Sequence, residues 1–410
     1  MVITRSRLVV LGTGFGAFNI VKRISDDYDV TVISPRNHFL FTPLLPSTTV
    51  GTIEFRSIIE PIRYARRRIT FYQAEAIDVL TESKTVSCVG VGTQQKFEVP
   101  FDVLVIAVGA VSNSFGIPGV ETHAYFLKEL ADARALRQRI IQCFELANLP
   151  ETTVERREQL LHFVVCGGGP TGVEFAAELN DFLQEDLQKS YAHVLPEARI
   201  TLVEAASEIL STFDQKLRHY ATALFRRQRI TVLTDSPVTK VDDGVLYLND
   251  GSKLLFGLLL WSTGNGPTKL ANTVRLHKDE RSRFLVDRFF RVQGQENIYA
   301  MGDCSAVEGA PLPATSQVAQ QQGKYLAQAL NRRARKQSVE PFEYHHLGML
   351  AYVGNNKALA DLQNFKGRGL ATWLFWRSAY LSRSVSVKNK VLVMFDWMKA
   401  KVFGRDISQF

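Results

Sequence analysis

Two glycine-rich runs in this chain have the composition and spacing that wrap backbone around a pyrophosphate: Gly12-Thr13-Gly14-Phe15-Gly16-Ala17 and Gly167-Gly168-Gly169-Pro170-Thr171-Gly172. In each, the first glycine permits a tight turn and the second lets backbone approach the phosphates. The small third position, Ala17 or Gly172, keeps the following helix close to the preceding strand. Backbone N–H groups and the dipole of that helix then face the anion. Two such loops imply two dinucleotides, and a chain that holds two dinucleotides can pass a hydride from one to the other.

The elements around each loop agree with this reading. Leu8 to Leu11 is a short apolar, β-branched run, and Ile20, Val21 and Ile24 follow at helical spacing. A second strand, Val30 to Ile33, comes at the βαβ distance. The acid expected at its end, to hold a ribose, is replaced by Ser34-Pro35-Arg36-Asn37. Ser34 can hydrogen-bond a ribose hydroxyl and Arg36 can lie beside an adenosine. Phe101 to Ala110, with Ala107 and Gly109 in its closing turn, and Ile298 to Asp303, with Gly302, read as buried strands that pass near a cofactor. Asp303 can accept hydrogen bonds from a ribityl chain and, taken alone, reads as a helix N-cap. The first loop therefore suits FAD.

The second loop follows the apolar run Leu161 to Cys166 and opens a helix from Val173 to Leu179. Strand Arg199 to Val203 ends in Glu204, a carboxylate able to bridge the ribose diol of NADH and to repel the extra phosphate of NADPH, so NADH is the expected cofactor. Trp261 to Gly266, with Gly264, mirrors the Ile106–Gly109 turn, so the halves look like one plan used twice. Glu174 and Glu178 share a helix face. Glu174 is placed in the first turn, as a candidate for positioning the two rings or relaying protons, and Glu178 is read as an ordinary polar helix position. The expected fold is α/β: two Rossmann-like dinucleotide-binding domains, the second inserted in the first, and a C-terminal amphipathic helical membrane-binding region. The expected boundaries are 1–130 with 290–340 for FAD, 131–289 for NADH and 341–410 for the membrane region.

Composition bounds the alternatives. At 410 residues, 46% hydrophobic and 22% charged, the chain suits two or three globular domains. Cys88, Cys143, Cys166 and Cys304 are scattered without a CxxC pair, which argues against a disulfide framework, a zinc site or a dithiol redox centre. The net charge of +8 is concentrated near the end, where nine basic residues from Lys366 to Arg405 face only Asp396 and Asp406. Interleaved apolar residues favour an anionic lipid surface over nucleic acid as the partner of residues 366–410. Trp373, Leu374, Phe375, Trp376 and Tyr380 form an aromatic cluster, and Val391, Phe395, Met398 and Val402 make an apolar stripe. Such a segment can lie in the headgroup region of a bilayer. Residues 1–7 are too short for a signal or transit peptide before the first strand, so a targeting segment is either absent or outside this chain.

Across nearly its whole length the chain resembles the type II (alternative, rotenone-insensitive) NADH:quinone oxidoreductases, most closely their mitochondrial branch. The resemblance is carried by Ser34 to Asn37 with Phe39 to Pro46, by Gly167 to Glu174, by Asp181 to Tyr191, by Pro313 to Gly323 and by Val402 to Asp406. It implies Thr42 and Pro43 beside the isoalloxazine, Asp303 on the ribityl chain, and Gln317 and Gln321 near a quinone head. Ser316 departs from the family's usual Ala. Gln317 and Gln321 are i,i+4 neighbours, so their amides can converge on one carbonyl.

The implied reaction is non-proton-pumping: NADH gives a hydride to FAD, and a membrane quinone such as ubiquinone takes two electrons. The implied location is peripheral (monotopic), on the mitochondrial inner membrane or alternatively on the cytoplasmic face of a bacterial membrane. A second copy of the chain stays open as a partner. The rivals are a sulfide:quinone reductase, which depends on cysteines beside the flavin, and a flavoprotein of the apoptosis-inducing-factor type acting through partners.

Overall fold

The computed structural model describes residues 5–384 and 386–408; residues 1–4 of the short start, residue 385, and residues 409 and 410 of the tail lie outside the described residues. The chain forms two compact units: residues 5–40, 59–111 and 265–345, and residues 41–58, 112–264 and 346–408. These borders differ from the expected ones. The chain crosses at 111/112, 264/265 and 345/346, and the short segment 41–58 belongs to the second unit. Hydrophobic periodicity reports which face of an element is buried, and it carries no information on which neighbour buries it.

The first unit is built on a seven-stranded sheet in the order Ile298–Ala300, Val103–Ile106, Ser6–Leu11, Tyr28–Ser34, Thr70–Leu80, Thr85–Gly90, Lys96–Pro100. Its first five strands are parallel, and the last two turn back as an antiparallel meander. Leu8, Val10 and Leu11 are fully buried, as a strand covered on both faces requires. Helix Phe15–Arg23 makes the crossover to Tyr28–Ser34 and packs against helix Ser316–Ala334. A Cβ on Gly323 would lie 2.4 Å from the Gly16 carbonyl oxygen, so the two helices meet at a distance only glycine permits there.

The second unit repeats the plan with four parallel strands in the order Ile230–Leu233, Arg199–Val203, His162–Cys166, Leu258–Trp261. Helix Pro170–Phe182 follows its central strand, and a π-helical turn, Leu183–Leu187, extends that helix. Residues from 346 onward do not start as helix. They open with a three-stranded antiparallel sheet, Met349–Tyr352, Ala358–Leu362 and Phe365–Gly369, and only then form helices Leu370–Arg383 and Val387–Phe403. No helix among the described residues is long and apolar enough to cross a membrane.

Candidate active site

In both units the glycine loop is fastened by the same backbone bonds. Gly12 donates to the Ile33 carbonyl at 2.8 Å, as Gly167 donates to that of Val203 at 2.8 Å. Ala107 donates to Leu11 at 3.0 Å, as Ser262 donates to Cys166 at 2.8 Å. The leading glycines have φ of +105° and +112°, and the turns behind them end in Gly109 and Gly264, both with positive φ. A Cβ on Gly12 would meet the Ala107 oxygen at 2.4 Å. By contrast a Cβ on Gly14 or Gly169 would meet no protein atom within 4 Å, and the helices that begin there have no capping side chain. Open space beside an uncapped helix start is the cradle a pyrophosphate occupies, so these residues fit a dinucleotide in each unit.

In the first unit, the carboxyl ends of four parallel strands gather Gly12 to Ala17, Ser34 to Arg36, Ala107 to Gly109, and Gly302 with Asp303. Ser34 is buried, its hydroxyl 3.3 Å from that of Thr13 and accepting the Arg36 N–H at 3.2 Å. It braces the loop against the next strand. Arg36 Nε is drawn to the His38 carbonyl at 3.0 Å. Pro35 stays exposed beside them. Asp303 lies in a single 3-10 turn, Gly302–Cys304, that leads into strand Ser305–Val307, so it caps no α-helix. Gln322, overlooked in the sequence, is buried and accepts the Gly302 N–H at 2.6 Å, fixing the loop that carries Asp303. The signal for it was a third glutamine on the helix face next to Gly323.

Gln317 and Gln321 lie one turn apart on helix Ser316–Ala334, both half-buried. The amide of Gln321 is used on both sides by backbone: it donates to the His345 carbonyl at 2.8 Å and accepts the His345 N–H at 3.0 Å. Gln321 therefore pins the segment at His345, and convergence of both amides on one carbonyl would require that clasp to open.

In the second unit, Glu204 accepts the Gly168 N–H at 2.6 Å with one oxygen and the Ala206 N–H at 2.8 Å with the other. A Cβ on Gly168 would press the carboxylate at 3.0 Å, so a glycine is needed for this contact. Pro170 and Thr171 form the first helical turn, and Gly172 approaches the Gly167 carbonyl where a Cβ would clash at 2.0 Å. Thr42 and Pro43 form a 3-10 turn that runs into helix Leu45–Thr48 of the same unit.

The carboxylates of helix Pro170–Phe182 differ from expectation. Glu174 lies beyond the first turn, which holds no acid. Glu178, expected to be an ordinary polar position, is 4% exposed and takes hydrogen bonds from the hydroxyls of Ser47 and Thr52, both at 2.7 Å. Asp181, on the same face, accepts the Tyr352 hydroxyl and the Asn355 N–H. Glu174 accepts the Tyr352 N–H at 3.0 Å. Three buried acids at i, i+4 and i+7 thus face segments 47–52 and 352–355, which local periodicity could not foresee.

Burial pushes the Glu174 carboxyl up to about 8, with the neighbouring Glu178 charge adding to the rise. Asp181 is pushed up by burial to about 7, against the hydrogen bonds from Tyr352 and Asn355. Arg405 closes the cluster from the end of the chain. Its guanidinium bonds Asp186 at 2.7 Å, Glu185 at 2.9 Å and the Thr52 hydroxyl at 2.9 Å. All four cysteines are free and buried, and burial raises the Cys304 thiol to about 11.

Comparison with known proteins gives a consistent family. Residues 6–323 match the pyridine nucleotide-disulphide oxidoreductase family, and residues 346–406 match the NDH2 C-terminal domain. A probable NADH dehydrogenase of Dictyostelium discoideum is 45% identical, over 100% of this chain and 92% of its own length. The mitochondrial external alternative NADH-ubiquinone oxidoreductase of Yarrowia lipolytica is 40% identical, over 99% of this chain and 81% of its own. The solved structure of NDH2 from Plasmodium falciparum in complex with NADH matches with a TM-score of 0.94 at 28% identity, covering 99% of this chain and 100% of that one.

Proposed function

The chain belongs to the type II NADH:quinone oxidoreductases, the NDH2 family, and on that premise we infer that it oxidises NADH and reduces ubiquinone through FAD. The observation that carries this reading is the pair of identically fastened glycine loops, each with open space at its second glycine. Gly12 to Ala17 and Asp303 would hold FAD, which would supply the two-electron chemistry that links oxidation of NADH to reduction of the quinone. The protein supplies orientation and a place for protons.

Gly14 and Gly169 leave room for the two pyrophosphates, and Glu204 keeps carboxylate lone pairs for the ribose diol of NADH beyond the two backbone bonds it already accepts. Thr42, Pro43, Asp303 and Gln317 are assigned to the flavin and quinone by the family pattern. Glu174, neutral near pH 7 because its carboxyl rises to about 8, holds a proton in a buried site and is assigned to deliver it on quinone reduction. The buried, unpaired cysteines give no support to thiol chemistry of the sulfide:quinone or disulfide kind.

A peripheral location is supported by the last two helices, and the mitochondrial inner membrane as its place by relatives named as mitochondrial. Leu370, Leu374, Phe375, Val391, Phe395, Met398 and Val402 are exposed, while Trp376, Tyr380 and Trp397 are buried. Exposed apolar residues recurring along both helices, with the exposed Lys388 and Lys401 on the second, suit the headgroup region of a bilayer. An anaerobic titration tests the reaction: NADH should bleach the flavin absorbance stoichiometrically, and short-chain ubiquinone should restore it within the turnover time. Flavin that is reduced by NADH but not reoxidised by quinone would refute the assignment.

A further inference from the structure

A cavity lies between the last two helices of the second unit, lined by Trp373, Trp376, Arg377, Trp397, Lys401 and Arg405 on one side and by Thr52, Glu178, Glu185 and Tyr352 on the other. Its acids are already engaged. Glu178 receives the hydroxyls of Ser47 and Thr52, and Glu185 receives Arg405 at 2.9 Å. Arg405 is likewise spent on Glu185, Asp186 and Thr52.

Arg377 is different. Its guanidinium stands 3.9 Å from the ring centre of Trp373 and 4.7 Å from that of Trp397, and among the described residues it has no acidic partner. Its Nε is buried with no hydrogen-bond partner in the protein. Burial lowers its pKa, Tyr352 and Glu178 act against that fall and Arg405 adds to it, and the two indoles further favour the charged form. Lys401 stands exposed at the cavity wall, also without an ion pair among the described residues. Two cations that form no ion pair among the described residues, one of them held by two indoles, thus share a cavity in which Glu178 is hydrogen-bonded to hydroxyls and Glu185 to Arg405.

We propose that this cavity binds the phosphate of an anionic phospholipid, with Arg377 and Lys401 as its ligands. The argument for a lipid over a free phosphate is position. The helices that form the cavity also carry the exposed Leu370, Leu374, Met394, Met398 and Val402, so acyl chains leaving a bound headgroup meet apolar surface on the same elements. A phosphodiester matches the planar, multidentate edge of a guanidinium, and tryptophan at headgroup depth is its usual companion. The inference rests on the membrane-surface reading above and assigns that surface a lipid class.

Three of the four tryptophans of the chain line the cavity, so intrinsic fluorescence reports on it. FAD-loaded wild-type protein, Arg377→Gln and Lys401→Gln are floated with vesicles of phosphatidylcholine alone and with added phosphatidylglycerol. Wild type should prefer the anionic vesicles by about tenfold, Arg377→Gln should lose most of that preference, and Lys401→Gln, an exposed position, should lose part of it. Soluble short-chain phosphatidylglycerol should change the tryptophan emission of wild type and compete with inorganic phosphate.

Both variants keeping the full preference would overturn the proposal. A response to inorganic phosphate with none to the short-chain lipid would overturn its lipid assignment. Failure of wild type to bind vesicles of either composition would instead refute the membrane reading on which it rests. Arg377→Lys retains a cation and should restore part of the preference, which separates loss of the ligand from loss of fold.

Discussion

The backbone N–H of Gly168 and the carboxylate of Glu204 meet at 2.6 Å, joining the phosphate loop of the second unit to the end of the neighbouring strand. The acid that is assigned to choose between NADH and NADPH is therefore held in place by the loop that would hold the pyrophosphate. Glu204→Gln removes the charge that repels a 2′-phosphate and keeps an acceptor for Gly168. NADPH should bind tighter than to wild type and NADH weaker, shrinking the preference for NADH by about tenfold or more. Dissociation constants for both nucleotides, from flavin or protein fluorescence, check this. An unchanged ratio would remove Glu204 from the selectivity.

Gly12 and Gly14 should fail in different ways when changed to alanine. At Gly12 the backbone is left-handed and a Cβ would collide with Ala107, so Gly12→Ala should destabilise the apoprotein by about 1–3 kcal/mol. At Gly14 the protein itself has room, so Gly14→Ala should leave the apoprotein's melting temperature nearly unchanged while FAD content falls. Thermal unfolding with and without FAD, together with the flavin-to-protein ratio, distinguishes them. Equal losses of apoprotein stability would contradict the open-cradle reading.

Glu174 predicts a dependence on pH with a definite sign. Its carboxyl is raised from 4.5 to about 8 in the folded chain, so between those values the folded state keeps a proton that the unfolded state has lost. Stability should therefore fall as pH rises through this window and level off above about pH 8, and Asp181, raised to about 7, adds a fall of the same sign. Glu174→Gln should flatten part of the slope of melting temperature against pH. The same variant should leave flavin reduction by NADH intact and slow its reoxidation by quinone about tenfold or more. Stopped-flow traces of the two half-reactions measure this, and an unaltered reoxidation rate would take Glu174 out of proton delivery.

The membrane surface calls for point changes instead of truncation. Removing residues 366–410 would take away Trp376 and Tyr380, uncovering Tyr352 and Phe41 on which they pack, and would strip away Asp396, which accepts from Ser57 and from the Glu54 N–H. Met398→Glu with Val391→Glu places charge on exposed positions only. Sedimentation with liposomes should show vesicle binding reduced about tenfold or more while flavin content stays at the wild-type level. Full retention on vesicles would refute the assigned face.

Much of this architecture was legible in the sequence because it is local. A strand, a glycine turn and a helix are written in consecutive residues, and both loops, with their strands and the acid at Glu204, fall where periodicity and spacing put them. What stayed hidden depends on partners distant in sequence. Glu178 looked like a surface acid until segment 47–52 supplied two hydroxyls, and Glu174 carried no sign that Tyr352 would cover it. Gln321 read as a ligand to a carbonyl, and its amide proved to clasp His345. The aromatic run from Trp373 to Tyr380 looked like one patch, but helical geometry divides it, turning Trp376 and Tyr380 inward and Leu374 and Phe375 outward. The small sheet that opens at Met349 was missed because its strands are short and its turns carry weak signals.

The exposed face formed by Val391, Met398 and Val402 bears on how turnover is to be measured. A catalyst lying on a bilayer finds its quinone by diffusion in two dimensions, and the quantity that governs encounter is the mole fraction of quinone among lipids. Diluting the vesicles at constant lipid composition should then leave the rate per bound enzyme unchanged, although the quinone per litre of suspension falls. Under the proposed membrane attachment, surface-dilution kinetics is the description that such a measurement tests.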